Sequence, residues 1–237
     1  MDAAQSQDAS DSVVWSAEEM AAAEEDYATY CALCHGDIGE GYKADGANAL
    51  NHPAFLATAD DDFLRSSIIR GRPGTPMSAW GQEQGGPLSD HQVERMVAFI
   101  RSWQVGGSVD LSDVVVTGEI ERAKPQYAAR CASCHGAEGE GGPFMSLNNP
   151  EFLAEASDGY IREAIASGRA GTPMMAYVKV IPTQTVDDLV VLIRSWQSPV
   201  DDTPFEPPEI DFDKSVIHRG GVPPQLSDDL YMPADDI

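Results

Sequence analysis

The chain has 237 residues and a hydrophobic content of 42%, which suits one or two globular domains. Its 39 acidic side chains outnumber 15 basic ones and give a net charge of −24, which excludes nucleic acid and anionic membrane surfaces as partners. The same charge either attracts a partner with a basic docking surface or serves only solubility, and composition leaves both interpretations open.

Residues 1–17 are predicted to form an N-terminal arm. Their start, MDAAQSQDASDSVVW, has neither basic residues nor an apolar core of about 7–15 residues, so it is not a signal peptide. No apolar run in the chain reaches the roughly 18 residues that span a bilayer, which predicts a soluble chain.

Two stretches of the chain repeat each other, which predicts a duplicated domain. Residues 27–41 read YATYCALCHGDIGEG, and residues 127–141 read YAARCASCHGAEGEG. Three further landmarks recur in the same order: LNHPAFL with LNNPEFL, GRPGTPM with GRAGTPM, and FIRSWQ with LIRSWQ. We therefore predict two tandem domains, residues 18–104 and 119–198, joined by a linker over residues 105–118.

Each repeat is predicted to contain three helices and no strand, so the predicted fold class is all-α. Good helix formers lead into the cysteine motifs over residues 17–33 and about 119–133. Shorter helices that end at glycine follow over residues 60–70 and 157–168. The last helix of each repeat has apolar residues at helical spacing, namely Val93, Met96, Val97 and Ile100, and then Val186, Leu189, Val190 and Ile193.

All four cysteines lie in two copies of the pattern Cys-x-x-Cys-His, formed by Cys31, Cys34 and His35 and by Cys131, Cys134 and His135. On a helix, two cysteines three residues apart share a face and can each bond a vinyl group of one porphyrin, while the histidine reaches the iron. A porphyrin would also fill a core for which each repeat has too few apolar residues. A redox dithiol needs no histidine, and a zinc site would use both cysteine pairs together. The pattern therefore predicts two haem c groups.

One methionine in each repeat suits the sixth position of an iron. Met77 and Met174 each follow Gly-Thr-Pro, and this proline and glycine loop is not a helical face, which favours ligation over core packing. Met175 competes with Met174, because only the register separates them. Arg72 and Arg169 recur beside these loops, and two roles stay open for them: pairing with haem carboxylates or plain surface charge.

Each repeat resembles a class I cytochrome c domain, and the tandem over about residues 18–198 resembles a dihaem cytochrome c of the cytochrome c4 kind. The resemblance implies two haem pockets, with one iron ligated by His35 and Met77 and the other by His135 and Met174. It also implies haem attachment outside the cytoplasm, as in the periplasm, so a signal peptide is expected to have been removed or replaced.

In that family a proline carbonyl often orients the proximal histidine. Pro143 would take this role for His135, whereas the first repeat has Lys43 at the equivalent place, which predicts different surroundings and different potentials for the two haems. The remaining histidines are interpreted as surface residues rather than ligands; they are His52, His91 and His218.

Residues 199–237 are predicted to form an extended, irregular tail. The tail is rich in proline and acidic residues and has no helical periodicity, so it cannot bury a core of its own. It is either disordered or laid along the two domains or a partner.

Electron transfer is the predicted function. Both irons would be saturated by protein ligands, so we expect no enzyme activity and no small-molecule substrate, and the partners would be redox proteins outside the cytoplasm. One alternative is a dihaem enzyme of the peroxidase or thiosulfate dehydrogenase type, which needs an open or exchangeable iron. The other is a permanent electron wire in a respiratory or photosynthetic membrane complex, for which the tail would be a connector.

Overall fold

The computed structural model describes residues 14–44, 46–111, 113–201, 203 and 205–206. Within these residues the helices are α1 Ala17–Tyr30, α2 Ala32–His35, α3 Pro53–Thr58, α4 Asp61–Arg70, α5 Asp90–Arg101, α6 Ile120–Arg130, α7 Ala132–His135, α8 Pro150–Glu155, α9 Asp158–Ser167 and α10 Thr183–Arg194. Extended pairing in the same residues is limited to one isolated bridge between Gly81 and Leu88. The predicted all-α fold is confirmed. None of the described helices has the length and hydropathy needed to cross a membrane.

The described residues up to Phe205 belong to one compact unit. Beyond Glu206 the predicted tail lies outside the described residues, together with His218 and the first 13 residues of the predicted N-terminal arm. The compact unit contains both repeats, each with five α-helices in the same order, and the first repeat also has a short 3-10 helix, Gln82–Gln84.

The core of each repeat is centred on its last helix. In the first repeat α5 packs against α1 and α4, and in the second α10 packs against α6 and α9. The apolar face predicted for each of these last helices is buried, with every one of its four residues at most 4% exposed. Helical periodicity in these segments therefore identified the core correctly.

Each repeat also contains a short helix that apolar periodicity does not reveal. These helices, α3 and α8, begin with a proline at the first helical position, Pro53 or Pro150. The preceding side chain, His52 or Asn149, caps the helix by accepting a backbone hydrogen bond. Capping asparagine and N-terminal proline are known start signals. Six residues are too few for a period of 3.6 to be recognised.

A repeated arginine fixes the corner between the short helix and the next one. The Arg101 guanidinium donates to the Leu56 and Ala59 carbonyls and pairs with Asp61. In the second repeat Arg194 makes the same three contacts, with the Leu153 and Ala156 carbonyls and with Asp158. Helix ends leave backbone carbonyls without partners, and the forked guanidinium satisfies two of them at once.

The two repeats pack against each other through aromatic rings and an ion pair. Phe63 of α4 and Tyr160 of α9 stack with their ring centroids 5.0 Å apart. The Arg70 Nε donates to the Glu151 carboxylate across 2.7 Å, and the Glu151 side chain is only 6% exposed. Burial of both contacts means that the two repeats form a single packed body.

Two hydrogen bonds at this interface are related by exchange of the repeats. His52 accepts from the Ala54 amide at Nδ1, so its Nε2 carries the hydrogen and donates to the Ala170 carbonyl across 3.0 Å. The equivalent Asn149 donates from Nδ2 to the Pro73 carbonyl, also across 3.0 Å. Both ring nitrogens of His52 are thus engaged in hydrogen bonds, in addition to the partly exposed position expected for a surface residue rather than a ligand.

Candidate functional site

The first repeat contains a cavity of about 1640 Å³, counting the open space at its mouth. The predicted site residues of this repeat all line it: Cys31, Cys34, His35, Arg72 and Met77. Apolar side chains from α4 and α5 and from Trp80 complete much of the wall. The structure thus brings together residues that are more than forty positions apart in the sequence.

The second repeat contains a matching cavity of about 1260 Å³, again counting the space at its mouth. Its lining includes the second set of predicted site residues, Cys131, Cys134, His135, Arg169 and Met174. Met175 does not line this cavity, and 51% of its surface is exposed. The register of the loop therefore turns Met174, and not its neighbour, toward the cavity.

The cysteine motifs sit where one helix ends and a single turn begins. The predicted helices end earlier than expected, because Cys31 and Cys131 have φ near −117° and separate α1 from α2 and α6 from α7. The backbone bonds continue across the break, since each histidine amide still donates to the carbonyl of the first cysteine, at 2.9 Å for His35 and 3.0 Å for His135. The motif thus keeps a helical turn, with its cysteines and histidine lining one cavity.

The four cysteines form no disulfide, and burial acts on the pKa of the first cysteine in each motif. Burial raises the pKa of Cys31 to about 12 and the pKa of Cys131 to about 11. All four cysteines are free thiols, and the described residues contain no cluster of three or more metal-binding side chains that could share one ion. This arrangement does not fit a zinc site, which needs four ligands around one metal.

Each motif histidine is held through one ring nitrogen. His35 Nδ1 lies 2.9 Å from the Asn48 carbonyl, and His135 Nδ1 lies 2.9 Å from the Met145 carbonyl. A carbonyl only accepts, so Nδ1 carries the hydrogen and Nε2 keeps its lone pair. Burial lowers the pKa of both histidines, which favours the neutral form that binds metal.

The expectation that Pro143 orients His135 is wrong. The acceptor is the backbone carbonyl of Met145, two residues further along, and the first repeat uses Asn48 rather than Lys43. Asn48 and Met145 each precede a leucine of the repeated landmark by two residues, so they occupy the same place in the two repeats. The two proximal histidines therefore have equivalent acceptors, contrary to the difference predicted.

The methionine loops are closed by their own hydrogen bonds. The Arg72 amide donates to the Met77 carbonyl across 2.7 Å, and the Met77 amide donates to the Thr75 hydroxyl across 3.2 Å. The second loop repeats both bonds, at 2.7 Å between Arg169 and Met174 and at 3.1 Å to the hydroxyl of its own threonine. Each methionine is thus held in position by the loop itself.

The loop arginines are cations with mainly neutral surroundings. The Arg72 guanidinium donates to the Gly71 carbonyl at 2.8 Å and the Ser67 hydroxyl at 2.6 Å, and it lies 5.6 Å from the Phe63 ring centroid. Burial lowers the pKa of Arg72. Arg169 has similar contacts, and among the described residues neither arginine forms an ion pair with a carboxylate. A half-buried guanidinium without a carboxylate partner is suited to bind an anion.

Comparisons with known proteins place these features in a family. The model described as cytochrome C oxidase, cbb3-type, subunit III matches residues 18–100 and 118–193. The Cbb3-type cytochrome c oxidase subunit CcoP of Azospirillum sp. (strain B510) is 28% identical over 183 residues, which cover 70% of this chain and 58% of the relative. The chain thus spans little more than half the length of the relative it matches.

Solved structures of two proteins resemble the chain at 20% identity. A reducing HAO-like protein complex of Kuenenia stuttgartiensis gives a TM-score of 0.47 and covers 74% of this chain and 96% of its own. Reduced recombinant cytochrome c4 from Pseudomonas stutzeri gives a TM-score of 0.26, and the match covers 74% of this chain and 97% of that protein. The assignment itself comes from the family model, whose two ranges fall one in each repeat and together exceed half of the chain. The chain therefore belongs to the cytochrome c oxidase, cbb3-type, subunit III family and is an electron-transferring c-type cytochrome.

Proposed function

We propose that the chain holds two haem c groups, one in each cavity. In the first, Cys31 and Cys34 would form the thioether bonds, and His35 and Met77 would ligate the iron. The second would use the equivalent residues, Cys131, Cys134, His135 and Met174. The observation that carries this proposal is that each cavity is lined by both cysteines, the histidine and the loop methionine of its own repeat.

The side chains fit this group in three ways. The cysteines are free, the histidine Nε2 lone pairs are available, and each cavity is enclosed mainly by apolar residues. Bound haem supplies a one-electron redox couple, whose potential is raised by methionine ligation. The protein holds the ligands: the carbonyls of Asn48 and Met145 fix the histidine rings, and the closed loops fix the methionines.

We further propose that Arg72 and Arg169 pair with the carboxylates of the haems. Each guanidinium lines its cavity and has no carboxylate partner among the described residues. A planar guanidinium binds a carboxylate with two parallel hydrogen bonds, and such a pair is strong where solvent is excluded.

The two domains would pass electrons to a terminal oxidase as a permanent electron wire. The named relative is a subunit of a cbb3-type cytochrome c oxidase. The net charge of −24 on this chain suits binding to a partner protein that has a basic surface. Haem attachment would take place outside the cytoplasm. Purification of the full chain from native membranes tests this role: oxygen consumption should copurify with the chain, and elution of the chain without oxidase activity would contradict it.

The enzyme alternative requires an open iron, and the loop geometry favours a saturated one. An optical redox titration of the purified holoprotein distinguishes the two. We expect two haems per chain and the weak red absorption band of a thioether–iron bond. Met77→Leu and Met174→Leu should each remove part of that band, and the double variant should remove all of it.

Met175→Leu is the matched control, because it changes the neighbouring, exposed methionine and should leave the band intact. A high-spin spectrum in the resting protein, or peroxide-dependent turnover, would reject the electron-transfer proposal in favour of a dihaem enzyme. A band that survives the double variant would reject the proposed ligands.

A further inference from the structure

Both cavities share one stretch of wall between them. Asn48 and Met145 line the cavity of the first repeat and also that of the second. The Asn48 Nδ2 donates to the Met145 sulfur across 3.5 Å, a contact between residues that occupy the same place in the two repeats. Thioether sulfur is a weak acceptor, so the bond is directional without being strong.

The same two residues hold the proximal histidines. The Asn48 carbonyl accepts from His35, and the Met145 carbonyl accepts from His135. A continuous chain of bonds therefore runs from one histidine to the other. It passes through a carbonyl, the backbone and side chain of Asn48, the N–H···S contact, and the side chain and backbone of Met145.

The surrounding segments keep this link in place. Tyr42 and Phe144 meet edge to face, with ring centroids 6.2 Å apart. A Cβ added to Gly46 would lie 2.9 Å from the Pro143 carbonyl oxygen, so the two backbones pass close together there. The segments that carry the two carbonyls are thus packed against each other and cannot shift independently.

We propose that Asn48 and Met145 are positioning residues that couple the two haems, so that each haem potential depends on the repeat opposite. This rests on the proposed binding of two haems. The hydrogen bond from Nδ1 sets the basicity of a ligating histidine, and the orientation of its acceptor carbonyl tunes that bond. The N–H···S contact ties the two side chains together, so a replacement that breaks it changes the position of both residues and of the carbonyls that hold the histidines.

The test follows the potential of each haem separately. Holoproteins carrying Asn48→Ala, Met145→Leu or both would be reduced stepwise while site-assigned haem methyl resonances are recorded by NMR. We expect Asn48→Ala to shift the potential of the second-repeat haem and Met145→Leu to shift that of the first. Because both replacements break the same link, the double variant should shift each remote haem no further than the single variant does.

His52→Ala is the matched interface control. It removes the bond to the Ala170 carbonyl together with the side-chain cap of α3, and it leaves both histidine acceptors intact. Because His52 also lines the second cavity, the control is read at the first haem, whose potential should equal that of the unaltered protein. Equal shifts in this control, shifts confined to the haem of the altered repeat, or additive shifts in the double variant would each overturn the coupling.

Failure of the coupling and failure of the proposed function are distinguishable. A protein with two methionine-ligated haems whose potentials ignore these replacements keeps the proposed function and rejects the coupling. A protein that lacks either haem rejects the proposed function before any potential is compared. Met145→Leu is nearly isosteric, so that arm remains decisive if Asn48→Ala does not fold.

Discussion

Asp188 is the buried anchor between the first and last helices of the second repeat, and its replacement by asparagine gives a quantitative test. The side chain is 2% exposed, and its carboxylate accepts from the Glu119 amide and from two nitrogens of Arg122, each across 2.8 Å. Asparagine keeps one acceptor but turns an amide N–H₂ toward the guanidinium. Hydrogen bonds to charged groups contribute roughly 1.5–3 kcal/mol each, but the Arg122 side chain is 50% exposed and solvent screens the pair, so we expect a loss of about 2 kcal/mol in the free energy of unfolding.

The pH dependence of this loss has a definite sign. The hydrogen bond from Arg122 is the main reason that the pKa of Asp188 lies below its ordinary value. A carboxylate with a lowered pKa stabilises the fold above the unfolded pKa of about 4, and this contribution disappears as the pH falls through the folded pKa. The difference between the original protein and Asp188→Asn should therefore be full at neutral pH and shrink in acid.

Unfolding of the holoproteins in guanidinium chloride, followed by far-UV circular dichroism at several pH values, measures the loss of unfolding free energy and its pH dependence. Glu119→Gln is the control, because it removes a carboxylate that pairs with the same arginine, at 3.1 Å, but is 69% exposed. An exposed pair contributes at most about 1 kcal/mol. The reasoning is refuted if Asp188→Asn matches the control at neutral pH, or if its deficit persists unchanged in acid.

Two further predictions concern the first methionine loop. Gly71 has φ 64°, and a Cβ there would lie 2.5 Å from the Ser78 backbone, so Gly71→Ala should weaken the thioether–iron band and lower the melting temperature. Gly74→Ala is the control, because Gly74 has φ 80° and open space around it. This variant should lower the free energy of unfolding by only about 1–2 kcal/mol and leave the band intact. Arg72→Leu removes a half-buried positive charge that lines the cavity of the proposed first haem, and it should lower the potential of that haem in a redox titration, because the ferric state carries one more positive charge. An unchanged potential would mean that Arg72 does not face the haem.

Sequence alone predicts the parts of each site that lie in side-chain patterns. The repeated Cys-x-x-Cys-His and Gly-Thr-Pro-Met segments predicted which side chains line each cavity, and the buried faces of α5 and α10 followed from their spacing. These features depend on residue type and on short-range periodicity, and both can be determined directly from the amino-acid sequence.

The backbone carbonyls that accept from the histidines could not be predicted from the sequence. Every residue has a backbone carbonyl, so the sequence near residue 145 does not distinguish Met145 from Pro143 as the partner of His135. The path of the loop decides, and that path depends on Gly141 at φ 95° and on packing against the other repeat. The stacked Phe63 and Tyr160 are likewise invisible in sequence, because each is an ordinary core residue of its own helix.

Each repeat supplies part of the wall of the other's cavity, and this has a consequence for biogenesis. Residues 140–142 and 144–146, together with Phe152 and Tyr160, line the first cavity although they are made about a hundred residues after its cysteines. If the first cavity holds the proposed haem, attachment would come either before its pocket is complete or after the whole second repeat has folded. A chain cut between its repeats would yield two cytochromes with solvent-open clefts.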